Sequence, residues 1–201
     1  MTAIADQKHT IGRRDLLLLL LGPETHTLSG DEGLGGITRL QKLLFLLEEE
    51  ERVTPKGEDF AFEPYKAGPY SPKLYDDLEF LENLGLIKKR VTAEGTEAEA
   101  AEMDFTFENL IEPEREQDEP FGPAPDAYEE YSYTLTDEGL QKVQHLLTSK
   151  DYRSVAESVS RIKARFKRYS LQDLLYYVYT KYPDMTTESE IKEKVLRRHR
   201  R

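Results

Sequence analysis

Cysteine is absent from this 201-residue chain, which excludes disulfide frameworks, thiolate metal sites and cysteine nucleophiles. Long apolar runs are scarce as well, and the longest is the six leucines from Leu16 to Leu21. A membrane span needs about 20 apolar residues, and the core of a secretory signal needs about 7 to 15. We therefore expect a cytoplasmic protein with no membrane association.

Residue clusters that could support catalysis are also scarce. The four histidines stand at positions 9, 26, 145 and 199, without the spacing of metal ligands. The glycines between 30 and 36 lack the lysine of a phosphate-binding loop. The acidic run from Glu48 to Glu51 points around a helix rather than converging on one point. We predict no catalytic residue, no metal and no cofactor, hence a binding protein rather than an enzyme.

Charge is distributed unevenly along the chain, whose net charge is −11. Residues 91–130 hold fourteen Asp or Glu against Arg115 alone, whereas residues 149–201 hold fourteen Lys or Arg against seven acids. The acidic segment is also rich in proline, a composition that favours a mobile loop. Two interpretations of it stay open, a solvated spacer and an acidic arm that docks a protein partner.

Apolar spacing predicts three helices in the first half of the chain. They cover residues 13–21, a stretch from Ile37 that ends before Pro55, and about 72–84. Ser71 is expected to cap the third helix with its hydroxyl, ahead of proline at the first helical position. The apolar face of that helix is predicted to carry Leu74, Tyr75, Leu78, Leu81 and Leu84, with Gly85 as a left-handed C-cap. A brief extended segment is expected at Phe60-Ala61-Phe62.

Two predicted strands, 86–91 and 131–135, flank the acidic segment, and Thr136 is expected to cap a following helix. Helix, turn, helix, strand, long connection, strand, helix is the order of a winged helix. The predicted fold class is mainly α with a small β-wing, a winged helix-turn-helix plus a C-terminal helical extension. The predicted divisions are a loose N-terminus (1–10), a winged-helix domain (11–150) with an acidic wing insertion (91–130), and a basic C-terminal helical extension (151–201).

The C-terminal extension is predicted to contain three helices. Val155, Val159, Ile162 and Phe166 form an apolar stripe on the first, and Ser170 with Asp173 and Thr187 with Glu190 form capping-box patterns for the other two. Five tyrosines in this part, at 169, 176, 177, 179 and 182, exceed what one core-facing stripe accommodates. Either they form a homodimer interface, or they pack onto the winged-helix body.

Several short motifs follow one another between about 12 and 195. They are Arg39-Leu40-Gln41-Lys42-Leu43-Leu44-Phe45-Leu46, Tyr65-Lys66-Ala67-Gly68-Pro69-Tyr70-Ser71, Leu84-Gly85-Leu86-Ile87, Tyr133-Thr134-Leu135-Thr136 with Gly139, and the later stretch Leu174 to Lys181 with Tyr182-Pro183. In the second motif, Gly68-Pro69-Tyr70-Ser71 is predicted to be a turn that opens the third helix. In this order the motifs resemble the YwgA-like family of prokaryotic winged-helix proteins and, more distantly, the SocA-like (Panacea) antitoxin domain. The first resemblance implies a transcriptional regulator, the second a protein that binds a protein partner, and neither supplies catalytic residues.

Double-stranded DNA is the expected partner of a winged helix, with the third helix in the major groove. The outward positions of that helix, however, are predicted to be Asp76, Asp77, Glu79, Glu82 and Asn83 against Lys73, and carboxylates repel phosphate. We therefore expect DNA contact beside the helix. The candidate nucleic-acid-binding residues are Arg39, Lys42, Lys66, Tyr70, Ser71, Lys73, Lys88, Lys89, Arg90, Arg161, Lys163, Arg165, Lys167 and Arg168.

Two hypotheses of different classes follow. One is a non-enzymatic, dimeric DNA-binding regulator of transcription. The other is a protein-interaction module of an antitoxin-like or defence-associated system, which uses the acidic segment 91–130 or the acidic face of the third helix. The candidate lysines and arginines are equally consistent with ordinary solvated side chains, and cations near a helix C-terminus are favourable without any ligand.

Overall fold

The computed structural model describes residues 11–22, 36–57, 59–96 and 127–198. The predicted loose N-terminus, most of the glycine-containing loop before the second helix and most of the predicted wing insertion lie outside these residues. The described part is mainly helical with two small antiparallel sheets, in agreement with the predicted α-rich class.

The helices and strands of the described residues are as follows. In chain order they are α1 (Arg13–Leu21), α2 (Ile37–Glu51), β1 (Glu63–Tyr65), β2 (Gly68–Tyr70), α3 (Lys73–Asn83), β3 (Ile87–Thr96), β4 (Ala127–Leu135), α4 (Asp137–Leu146), α5 (Lys150–Phe166), α6 (Leu171–Lys181), the 3₁₀ helix η1 (Pro183–Thr186) and α7 (Lys192–Arg198). The predicted helix at 13–21 is confirmed, and the third helix is two residues shorter than predicted.

The connection between α2 and α3 differs from the prediction because it contains a hairpin. Strands β1 and β2 pair antiparallel, with Tyr65 opposite Gly68, so the turn consists of Lys66 and Ala67. The Gly68-Pro69-Tyr70 sequence is therefore a strand rather than the turn that opens a helix. The extended segment expected at Phe60 to Phe62 is also wrong, because Ala61 has a left-handed φ of 49° and the strand begins only at Glu63.

Strands β3 and β4 form the second sheet, with a register that runs from Ile87 opposite Leu135 to Thr96 opposite Ala127. Both strands are longer than predicted. The left-handed φ of 70° at Gly85 and the Thr136 cap are confirmed, since the Thr136 hydroxyl accepts from the backbone N–H of Gly139 at 3.1 Å. The same hydroxyl donates to the carbonyl of Gly85 at 2.6 Å, so the cap also ties α4 to the end of α3.

One hydrophobic core joins the N-terminal and C-terminal helices. Leucines of α1 and α2 share it with Val155, Ile162, Phe166, Leu174, Val178, Ile191 and Val195 of the C-terminal segment. Tyr179 is buried in this core, and the rings of Tyr169, Tyr176, Tyr177 and Tyr182 pack against it. Of the two interpretations of the tyrosines, packing onto the body accounts for their positions. No helix within the described ranges is long and apolar enough to cross a membrane.

Three predicted helix caps have different outcomes. The Ser170 and Asp173 capping box is confirmed. The box predicted at Thr187 and Glu190 is wrong, because α7 begins at Lys192 and the Thr187 hydroxyl donates to the Asp184 carbonyl. The Ser71 cap is wrong as well, since its hydroxyl donates to the carbonyl of Phe60 instead of accepting from α3.

Candidate functional site

Gln41 and Lys42 of α2 hold β2 and the entrance to α3 in place. The Gln41 amide donates to the Ser71 carbonyl at 3.0 Å and accepts from the Ser71 backbone N–H at 2.9 Å. The Lys42 Nζ donates to the Pro69 carbonyl at 2.9 Å. Both predicted DNA contacts in this group, Lys42 and Ser71, are at most 1% exposed. A phosphate cannot reach them in this structure, so their role is to join α2 to the hairpin.

Burial shifts the pKa values of two side chains of α2, Lys42 and Glu48. It lowers the pKa of Lys42 to about 7 from the usual 10.5. Nearer the C-terminal end of the helix, Glu48 accepts a 3.3 Å hydrogen bond from the backbone N–H of Phe60. Burial of this carboxyl, together with the negative charges of Asp59 and Glu49, raises its pKa to about 7 in spite of that hydrogen bond. Both groups therefore titrate near neutral pH.

Arg39 and Lys163, two further predicted DNA contacts, bind backbone carbonyl groups inside the protein. The Arg39 guanidinium donates to the carbonyl oxygens of Phe166 and Tyr169 at 2.9 and 2.8 Å. The Lys163 ammonium donates to those of Leu20 and Gly22 at 3.1 and 2.6 Å. Each cation thus satisfies carbonyl groups at the end of a neighbouring helix.

Glu50 is the centre of a polar cluster that joins α2 to α5 and α6. Its carboxylate accepts from Tyr177 and Lys181 at 2.8 and 2.9 Å, from Tyr182 at 3.2 Å, and from Arg165. Burial opposes ionisation, yet these donors hold the pKa of Glu50 below its usual value. Arg161 pairs in the same way with Glu51 at 2.6 Å. The predicted DNA contacts Arg161 and Arg165 are therefore engaged in holding α5 against α2.

The remaining basic candidates lie on four separate elements. Lys88 and Arg90 are exposed on β3, with Lys89 partly buried between them, and Lys167 and Arg168 are exposed after α5. Lys66, in the hairpin turn, approaches Glu190 at 3.8 Å, and Lys73 of α3 donates to the Asp59 carbonyl at 3.1 Å. The structure therefore leaves a smaller set of accessible cations than the sequence predicted.

The outward side of α3 carries carboxylates and exposed apolar side chains together. We define the α3 face as the exposed residues Asp76, Glu79, Phe80, Glu82, Asn83 and Leu84. Phe80 is 39% exposed, and Leu84, predicted on the buried side, is 57% exposed. The outward position predicted for Asp77 is wrong: its carboxylate is fully buried and accepts from Arg13 at 2.7 Å and from Arg14 at 2.9 Å.

Phe80 is held in position from the α1 side. The Arg14 guanidinium lies 3.5 Å from the centroid of the Phe80 ring, while its Nε donates to Asp77. A guanidinium over an aromatic face is a favourable contact, and it fixes the ring without covering all of it. The apolar spacing did not single out Phe80 as a candidate. Its position two residues from the buried Leu78 nevertheless places it away from the buried side of the helix.

Three half-buried tyrosines line the hairpin and the first turn of α3. We call Tyr65, Tyr70 and Tyr75 the tyrosine row. Their ring centroids are 4.7 Å apart for the first pair and 5.9 Å apart for the second. Partial burial raises the pKa of Tyr70, and the nearby carboxylates of Glu63 and Asp76 raise it further. The neighbouring Tyr65 acts in the same direction, so Tyr70, predicted to contact DNA, lies close to acidic groups.

Comparison with known protein families, with curated proteins and with solved structures gives no match. The resemblance to YwgA-like proteins therefore depends on the motifs alone. Two of those motifs contact each other, because Gln41 and Lys42 of the first bond to Ser71 and Pro69 of the second. Within the described ranges, no group of His, Asp and Glu side chains is placed to hold a metal ion.

Proposed function

We propose that this chain is a non-enzymatic winged-helix interaction module that binds a basic protein partner through the α3 face. The observation that carries the proposal is the exposure of Phe80 and Leu84 beside Asp76, Glu79 and Glu82. Apolar side chains at the centre of a patch, with charged side chains around them, are typical of protein interfaces. The acidic rim selects a partner with lysine or arginine in complementary positions.

The winged-helix part of the proposal rests on element order. Helices α1, α2 and α3 precede the antiparallel β3 and β4 pair, and α4 follows, which is the order expected of a winged helix. The β1 and β2 hairpin between α2 and α3 is an addition to the simplest form of such a fold. In the proposed winged helix α3 corresponds to the recognition helix, and its outer surface is therefore the proposed site for a partner.

The chemistry of the α3 face favours protein over DNA at that position. Three exposed carboxylates against Lys73 would face a phosphate-lined groove and repel it. An exposed phenylalanine and leucine add nothing to phosphate binding, whereas they supply the apolar contact area that a protein partner needs. The proposed setting remains an antitoxin-like or defence-associated system, in which one protein holds another.

Binding rather than catalysis is supported by the state of the unusual titratable groups. Lys42 and Glu48, whose pKa values lie near neutrality, bond to backbone atoms of Pro69 and Phe60 respectively. Their position between packed elements gives them a structural role. Tyr179 likewise hydrogen-bonds Ser189 at 2.8 Å from within the core.

The experiment is co-purification of the chain from its native cells after nuclease treatment. Phe80→Ser combined with Leu84→Ser, and separately Glu79→Lys combined with Glu82→Lys, should each abolish capture of the partner that the wild type retains. The matched control, Glu157→Lys combined with Glu193→Lys, changes exposed acids on α5 and α7 and should retain it. The captured protein, once purified, should bind the wild type directly. Equal capture by all variants would refute a role for the α3 face.

Deletion of residues 97–126 tests the other acidic candidate. If the partner depends on the α3 face, the deletion variant should still capture it, because α3 lies outside the deleted residues. Loss of capture in this variant, with capture retained in the α3-face variants, would assign the docking role to the acidic segment instead.

DNA is the second candidate, and the specific observation in its favour is the basic start of β3. Lys88 and Arg90 are exposed two residues apart, hence on the same face of the strand. A DNA-binding homodimer would present this surface twice, together with Lys167 and Arg168. Fluorescence anisotropy with duplex DNA should then show affinity that falls steeply with salt and weakens in the triple variant Lys88→Ala, Lys89→Ala, Arg90→Ala. Absence of binding to any duplex at low salt would exclude it.

A further inference from the structure

We infer that the tyrosine row, together with the carboxylates of Glu63 and Asp76, binds an arginine side chain of the protein partner. The inference rests on the proposed function, since it names the chemistry by which the same end of α3 would recognise a basic partner. It concerns a different set of residues from the α3 face, apart from Asp76, which belongs to both.

The hairpin register brings Glu63 and the tyrosine row together. Glu63 lies opposite Tyr70, and Tyr65 lies opposite Gly68, so the side chains of Glu63, Tyr65 and Tyr70 share one face of the hairpin. Gly68 has a left-handed φ of 88°, and a Cβ atom there would meet the buried Tyr179 ring at 2.9 Å, so the residue opposite Tyr65 must stay without a side chain. The Tyr65 and Tyr70 rings lie 4.7 Å apart and the Tyr70 and Tyr75 rings 5.9 Å apart, so the three present one aromatic surface.

Electrostatics at this surface favour a cation. Tyr70 experiences the negative charges of both Glu63 and Asp76, which come from the hairpin and from the first turn of α3. Glu63 and Asp76 are both exposed, and among the described residues neither forms an ion pair. Their charges are thus available to a ligand, while the half-buried rings add the negative faces of their π-systems.

Arginine is the ligand that fits best among the basic side chains. Its planar guanidinium stacks on an aromatic ring and donates two parallel hydrogen bonds to a carboxylate at the same time. Lysine offers a compact, strongly hydrated charge, which loses more hydration on contact with a ring. A surface that combines neighbouring aromatic rings with one carboxylate from β1 and one from α3 therefore binds arginine in preference to lysine.

The test is an NMR titration of the full chain with three blocked pentapeptides of sequence Gly-Xaa-Gly-Xaa-Gly. Xaa is arginine, lysine or citrulline, the last being a neutral side chain of nearly the same shape. The arginine peptide should shift the ring signals of Tyr65, Tyr70 and Tyr75 and saturate. The lysine peptide should bind about two- to fivefold more weakly, and the citrulline peptide should not bind.

Four variants make the result specific. Tyr70→Leu and Asp76→Asn should each weaken binding of the arginine peptide about two- to fivefold, whereas Tyr70→Phe, which keeps the ring, should bind like the wild type and so controls for folding. Glu157→Gln, the matched loss of an exposed acid on α5, should have no effect. Equal weakening by Glu157→Gln and Asp76→Asn, or unchanged binding by Tyr70→Leu, would overturn the inference in favour of general attraction to an acidic protein.

The two proposals fail separately. If α3-face variants lose the captured partner while Tyr70→Leu keeps it and does not alter peptide binding, the proposed function stands and the arginine site does not. If the arginine peptide binds as expected but no partner depends on Phe80 and Leu84, the arginine site stands and the α3 face does not.

Discussion

Lys42 donates a 2.9 Å hydrogen bond to the carbonyl oxygen of Pro69 while only 1% of its surface is exposed. Burial lowers its pKa to about 7, whereas the unfolded chain keeps the usual 10.5. Between these values the unfolded state holds one proton more than the folded state, so stability increases with pH there. We expect the unfolding free energy to rise from pH 7 to pH 9, by at most about 1.4 kcal/mol per pH unit from this residue.

Urea denaturation of Lys42→Met at pH 7, 8 and 9 checks the assignment. The variant should lose the rise, because methionine has no proton to release, while Lys56→Met at an exposed position should keep it. A wild-type stability that stays flat over this range would mean that Lys42 gains charge-stabilising contacts absent from the structure.

Glu48 should produce the opposite trend at lower pH. Its pKa is raised to about 7 from 4.5, so the folded state holds more protons than the unfolded state between these values. Stability should therefore fall as pH rises from 4.5 to 7. Glu48→Gln keeps an acceptor for the Phe60 N–H and should be more stable than wild type by about 1 to 3 kcal/mol at pH 7.5, with little difference at pH 4.5. Thermal unfolding at both pH values measures this difference, with Glu188→Gln, at an exposed acid distant in sequence from Glu48, as the control.

Asp77 should be one of the most sensitive charged positions of the chain. Its carboxylate is fully buried between Arg13 and Arg14, and removing it leaves Arg13, whose side chain is only 15% exposed, without this partner. Loss of one member of a buried pair costs about 3 to 5 kcal/mol, so Asp77→Ala should destabilise by that order. Arg14→Ala, at a side chain 46% exposed, should cost about 1 kcal/mol or less. Similar small losses for both variants in chemical denaturation would contradict the role assigned to Asp77.

Gly139 should not tolerate a substitution that usually stabilises helices. Alanine is favoured over glycine inside a helix by about 1 kcal/mol, yet a Cβ at Gly139 would lie 2.0 Å from the carbonyl oxygen of Leu86. Because that atom belongs to the backbone, Gly139→Ala should displace α4 from the start of β3 and lower the melting temperature by several degrees. Gly12→Ala, with nothing within 4 Å of its Cβ, should leave it nearly unchanged. A stabilised Gly139→Ala protein would refute the close approach.

Helices and their termini follow from local chemistry, which is why α1, Gly85, Thr136 and the Ser170 box were predictable. The predicted DNA-contact site was less accurate, because the charge of a side chain does not indicate whether that side chain is buried. From the sequence, Lys42 and Arg39 are expected to be surface cations. In the structure they bond to carbonyl groups of β2 and of the end of α5, because α2 packs against these elements. Conversely, Leu84 has the spacing of a core residue but lies at the end of α3, where none of the described helices or strands covers it. Such outcomes depend on which elements pack together, and periodicity within one helix does not contain that information.

Arg39 bonds to carbonyl groups 127 and 130 residues away, and Lys163 bonds to one 143 residues before it. These contacts have a consequence for how the chain folds during its synthesis. The leucine-rich helices α1 and α2 leave the ribosome well before α5 and α6 are synthesised. Until then, the leucine side chains that α5 and α6 cover remain exposed. Contacts at such separations also form slowly, because a long loop must close first. Synthesis and folding of the C-terminal helices are therefore the step that buries the leucines of α1 and α2.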